Sequence, residues 1–99
     1  MKKLFISQPM RGKNNEGIKN TRQMAFEHAK KIYGADLELI DSFFEDSSHD
    51  QNPLWYLSES LKLLSTADYV YFCSDWNKAR GCKIEHQCAE AYNIHILYD

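Results

Sequence analysis

The stretch ADYVYFCSDWNKARGCKIEHQCAEA, residues 67–91, decides how the rest of the chain is read. Tyr69-Val70-Tyr71-Phe72-Cys73 is an almost wholly apolar run, the signature of a strand buried on both faces of a parallel sheet. It breaks into a polar loop, and a helical pattern then opens from about Arg80 to Tyr92, with Ile84, Cys88 and Ala91 on one side. Gly81 falls in the first turn of that helix and Glu85 in its opening turns, at the boundary of the apolar face. The start of a helix carries bare N–H groups and a partial positive charge, which is why α/β proteins put ligands there. A carboxylate near that end is placed to act on whatever binds.

Working outward, Lys3–Ser7 is a short apolar run centred on Phe5 and Ile6, with Pro9 and Gly12 punctuating a turn after it. From Asn15 to Tyr33 the pattern is helical: Ile18, Ala25, Ala29 and Ile32 form the apolar stripe, and Arg22 and Lys30 are assigned to the wet side. Gly34 supplies a stop signal, and Leu37–Ile40 reads as a second strand. Pro53 suits a first helical position, and Leu54, Leu57, Leu61 and Leu64 give a helical stripe up to Ser65. Ile94–Tyr98 is a last strand.

The resulting order, strands alternating with helices, predicts one α/β domain over residues 1–99, a flavodoxin-like, Rossmann-like three-layer sandwich. The expected four-stranded parallel sheet has strand order 2-1-3-4, with its switch point between strands one and three. Ligands in such sheets bind beyond the carboxyl ends of the strands at that point. The two loops there are Ser7-Gln8-Pro9-Met10-Arg11-Gly12 and the segment running from Ser74 to Gly81, so both converge on one crevice.

Composition narrows the partners. Hydrophobic residues at 43% and aromatics at 13% belong to a globular chain. A formal net charge of −2 offers no attraction to nucleic acid or an anionic membrane. No apolar run approaches the roughly 20 residues of a membrane span, and the run at Leu4–Ile6 is too short for a signal peptide. Cys73, Cys82 and Cys88 include no C-x-x-C pair, which points to a reducing cytosol and cytoplasmic localisation rather than a disulfide framework. Cys73 and Cys88 read as core. Cys82 reads as a small packed residue, with a thiol activated by the helix start as the alternative. The four histidines share no metal spacing, and no metal or cofactor is called for.

The chemistry-bearing residues are few. Glu85 is the candidate catalytic carboxylate, able to attack a sugar anomeric carbon or to hold a ribose hydroxyl. Asp75, in the crevice loop, and Glu59 are candidate assistants, with Asp68 a further source of acid. Arg11-Gly12 offers a guanidinium and permissive backbone to an anion, and Trp76 a ring to stack on a base. Neither a G-x-G-x-x-G nor a Walker lysine loop is present.

FISQPMRG at Phe5–Gly12, the apolar run closing at Cys73, and DWNKARGCKIEHQCAEA at Asp75–Ala91 resemble the small nucleoside 2-deoxyribosyltransferase-like proteins. More closely, they resemble the short bacterial and phage subgroup carried as DUF4406. The resemblance implies a flavodoxin-like fold and a pocket for a nucleoside or nucleotide. It also implies a glutamate nucleophile that moves a deoxyribosyl group from one base to another base or to water. That glutamate matches Glu85, the loop glycine Gly81, and the phosphate-side arginine-glycine Arg11 and Gly12. Two positions depart from the pattern: a phosphate-holding serine is Ala79 here, and a helper aspartate falls on Ser60, beside Glu59.

Three readings follow: an enzyme acting on an N-glycosidic bond, a non-catalytic module binding a nucleotide-like ligand in the same crevice, and an interaction protein with a vestigial site. A homo-oligomer is expected, because Phe43, Phe44, Trp55 and Tyr56 are many aromatics for a loop and a helix start.

Overall fold

In the computed structural model, residues 1–10, 12–42 and 52–99 are described. Strand β1 is Lys2–Ser7, helix α1 Asn15–Tyr33, β2 Leu37–Leu39, α2 Pro53–Leu64, β3 Tyr69–Phe72, α3 Arg80–Ala91 and β4 His95–Tyr98. A single 3-10 turn, Trp76–Lys78, bridges β3 to α3. The strands form one sheet in the order β2-β1-β3-β4, and every pairing is parallel. The expected α/β architecture and strand order are therefore the observed ones.

Strand periodicity sorts the core into two halves. Leu4 and Ile6 of β1 point with Tyr71 toward α1, where Ala25 and Ala29 let the helix backbone approach the sheet. Phe5, Val70 and Phe72 point the other way, against Leu61 and Leu64 of α2 and Ala89 of α3. β3 is covered on both sides, with Val70, Tyr71 and Phe72 fully buried, as its unbroken apolar run requires.

Local signals set the helix ends. Asn14 caps α1 by accepting the Gly17 N–H at 2.8 Å, and Asn52 caps α2 by accepting the Trp55 N–H at 2.8 Å, with Pro53 in the first turn. Gly34 ends α1 at φ 103°, where a side chain would be strained, and its N–H returns to the Lys30 carbonyl.

Three assignments from the sequence pattern need correction. Arg22 is buried, not on the wet side. It lies one turn from Ile18 and one from Ala25, so helix geometry places it in the stripe whatever its charge. Its guanidinium is satisfied there: one nitrogen donates to Gln8 Oε1 at 3.1 Å, the other to the Ile40 carbonyl at 3.2 Å and Ser42 Oγ at 3.1 Å. Ile32 is half exposed, because the stripe ends instead on Tyr33, whose ring stacks on Tyr69 at 4.1 Å. Leu54 is exposed as well, so the α2 stripe meets the sheet only beyond its first turn.

Arg22 thus ties the carboxyl ends of β1 and β2 to α1. Replacing Arg22 with Ala strands three acceptors and is expected to cost about 3 kcal/mol. Lysine, which lacks the planar fork, should recover less than half of that loss in urea unfolding curves.

Candidate functional site

The alternation that sends Phe5 toward α3 sends Ser7 the same way, at the carboxyl end of β1. On α3 the buried positions are Cys82, Glu85 and Ala89, spaced by three and four residues, so a carboxylate occupies the stripe that packs on the sheet. The two meet: Ser7 Oγ donates to Glu85 Oε1 at 2.6 Å, in a buried contact between the carboxyl end of β1 and the middle of α3. Glu85 is only 7% exposed. Burial pushes its pKa up to about 7, against the opposing pull of the Ser7 hydrogen bond. A carboxylate poised near neutrality at the carboxyl edge of a parallel sheet has the electrostatics of a working acid, base or nucleophile.

Cys82 adjoins this pair, one turn before Glu85 on the same buried stripe of α3, and its thiol is close enough to feel the Ser7 hydroxyl. Burial pushes the thiol up to about 11, so it stays protonated, and the packed-residue reading of Cys82 is the observed one. Cys73 is likewise buried and pushed up to about 12. Ala79 stands at the N-cap of α3 without a side-chain acceptor, in contrast to Asn14 on α1.

The remaining residues singled out from the sequence are distributed as follows. Gln8, next along β1, turns to the opposite face and is held between the Ile18 carbonyl at 3.2 Å and Arg22. Pro9 and Met10 are half-buried at the strand's mouth, where the Lys13 N–H closes a turn onto the Met10 carbonyl at 3.1 Å. Gly12 adopts φ 80°, a left-handed conformation that explains its residue type. Arg11 lies outside the described residues, as do Phe43, Phe44 and the acidic positions 45, 46 and 50. Gly81 sits in the first turn of α3, where an added Cβ would reach Leu57 at an ordinary 4.0 Å. Trp76 stacks on His86, with ring centroids 4.0 Å apart, and packs on Phe72.

The two assisting carboxylates do not share the Ser7–Glu85 contact. Asp75 is exposed and pairs with Lys78 at 3.4 Å, and Glu59 on α2 pairs with Lys62 at 2.7 Å. Asp68 is at the amino end of β3, where its carboxylate accepts the Lys3 N–H at 2.8 Å. An open recess of about 340 Å³ lies at the ends of β3 and β4, between Trp76, Asn77, Tyr98 and Asp99. Of its lining residues, Asp99 accepts from Ser74 and from the buried Tyr71, whose hydroxyl also meets His28 Nδ1 at 2.6 Å. These bonds hold the Asp99 carboxyl below the usual range. The recess borders on neither Ser7 nor Glu85.

Two residues near the crevice escaped sequence reasoning. Lys13 lies close enough to act electrostatically on both the Cys73 and Cys82 thiols, and nothing in its local pattern signals this. Arg22 had a signal, its position in the stripe, which its charge overrode. Among the described residues no group of three or more His, Cys, Asp or Glu side chains is arranged to hold a metal, and no helix is long and apolar enough to cross a membrane.

Residues 2–98 match the family model described as "Domain of unknown function (DUF4406)", which is nearly the whole chain, and the chain belongs to that family. Comparison with curated proteins and with solved structures returned no match.

Folding raises the Glu85 pKa from an ordinary 4.5 to about 7, so the folded chain holds a proton that the unfolded chain releases. Its contribution to stability is intact below pH 4.5 and is lost as pH rises through about 7. Glu85→Gln keeps the acceptor for Ser7 and removes this titration. The variant should gain up to about 3 kcal/mol over the wild type above neutrality. The difference should fade to nothing in acid, as followed by chemical unfolding across pH.

Proposed function

We propose that this member of the DUF4406 family binds a nucleoside or nucleotide in the crevice between the ends of β1 and β3, and that Glu85 acts there on the N-glycosidic bond. The observation that carries the reading is the buried Ser7–Glu85 contact: a lone carboxylate, nearly removed from water, at the point of the sheet where such folds take ligands. The resemblance of Phe5–Gly12 and Asp75–Ala91 to the nucleoside 2-deoxyribosyltransferase-like proteins supplies the reaction class.

In this reaction an ionised Glu85 oxygen bonds to the anomeric carbon while the carbon–nitrogen bond breaks, its electron pair leaving on the base, which takes up a proton. A second base or water then attacks the glycosyl ester and restores the carboxylate. Ser7, Gln8, Pro9, Met10, Arg11, Gly12, Trp76 and Gly81 are the proposed surroundings of the ligand. Asp75 or Glu59 is the proposed source of assistance to the leaving base. The setting is cytoplasmic, in keeping with three free cysteines, and the working form is a homo-oligomer. The exposed Leu54 and partly exposed Trp55 at the start of α2 favour such association.

One observation favours a second reading, a binding module without turnover. Asp75 and Glu59 are each held by a lysine of their own element, and Ala79 leaves the start of α3 without a side-chain anion ligand.

A panel of 2′-deoxynucleosides and their 5′-monophosphates, analysed by chromatography for free base, separates the two readings. Turnover should rise with pH through about 7 and level off above it, since the nucleophile must be ionised. Glu85→Gln should lower it by ~10³-fold or more. Saturable heat of binding without released base would establish the second reading and end the first. Light scattering at micromolar concentration tests self-association, with a monomer as the contrary result.

A further inference from the structure

The carboxylate of Glu85 is held unequally. Oε1 accepts the Ser7 hydroxyl at 2.6 Å, and no described residue donates to Oε2. Ser7 is itself 2% exposed and sits at the end of a strand whose backbone is locked into the sheet, its carbonyl accepting the Cys73 N–H at 3.0 Å. The buried Cys82 thiol is its further neighbour, close enough to feel the hydroxyl. A hydroxyl with two buried neighbours and a fixed backbone cannot swing away without leaving a polar atom unpaired.

We propose that Ser7 is a positioning residue: it clamps Oε1 of Glu85 so that Oε2 is the oxygen presented to the ligand, and Cys82 braces Ser7 in that role. The proposal rests on the reading of Glu85 as the acting carboxylate and adds which of its oxygens acts and what aims it. The bond that forms to a sugar is then from Oε2. Ser7 keeps its proton throughout, since it donates to Oε1 in the ionised carboxylate and in the ester alike. As charge builds and disappears on the carboxylate, the strength of that one hydrogen bond changes with it, so Ser7 also lowers the pH at which Glu85 becomes ionised.

The test is a titration that needs no substrate. Protein labelled with ¹³C at glutamate carboxyl carbons is followed by NMR across pH, and Glu85→Gln identifies the Glu85 signal by its loss. Ser7→Ala removes the donor and should move the Glu85 midpoint up by about one pH unit, a tenfold change in its ionisation constant. Ser7→Cys preserves shape but donates weakly and should move it the same way, which keeps the test available if alanine destabilises the fold. Ser7→Thr retains the hydroxyl and should restore the wild-type midpoint. A folded Ser7→Cys or Ser7→Ala protein titrating at the wild-type midpoint overturns the proposal.

Where the nucleotide panel gives turnover, Ser7→Ala should lower kcat about tenfold with KM little changed, and shift the pH profile by the same step as the titration. A fall in KM-dependent terms alone, with kcat and its pH profile unmoved, also overturns it. If the wild type turns over no member of the panel, the functional reading fails by itself. The NMR midpoints then still decide whether Ser7 controls Glu85.

Discussion

The parallel pairing of β1 with β3, Leu4 against Tyr69 through Ser7 against Phe72, is the constraint from which the rest of the molecule follows. It joins two segments more than sixty positions apart and supplies the centre of a sheet whose outer strands are short and half exposed. Because both strands run the same way, their carboxyl ends finish side by side. The loops leaving them are forced to share one edge, and the strands' two-residue repeat decides which side chains face which helix.

Among the described residues, the acidic Glu85 and the basic Arg22 are buried near that edge, on opposite faces, and the fold treats them differently. Arg22, on the α1 side, is spread over three neutral acceptors that the strand ends provide. Its charge is accommodated, and it acts as a clamp. Glu85, on the α3 side, has one hydroxyl, and burial dominates its titration. A group whose charged form is so weakly supported is unstable in the ionised state and reactive for the same reason. The two differ in the number of their partners and not in burial, since they are equally enclosed.

Much of this was legible along the chain. The unbroken apolar run at Tyr69–Cys73 announces a doubly covered strand, and the caps at Asn14, Gly34 and Asn52-Pro53 mark element ends through local backbone chemistry. Charge misled where periodicity would have served, as at Arg22. At the far ends of stripes, Ile32 and Leu54 fell outside the packed region, because helical spacing says which residues share a face and not where the sheet stops. For the site, Glu85 and the loop after β1 stand out in the sequence. Their pairing does not, for Ser7 and Glu85 are 78 positions apart.

By itself the sequence determined the α/β class, the element order, the strand order 2-1-3-4 and the edge at which both distinctive loops emerge, since each depends on local periodicity, capping and the few topologies that parallel crossovers permit. Tertiary structure alone decided that Ser7 meets Glu85, that Asp75 and Glu59 turn to nearby lysines, and that burial lifts the Glu85 pKa to about 7. Those outcomes depend on which atoms are left in water after packing, and solvation is a property of the assembled core that no stretch of chain carries alone.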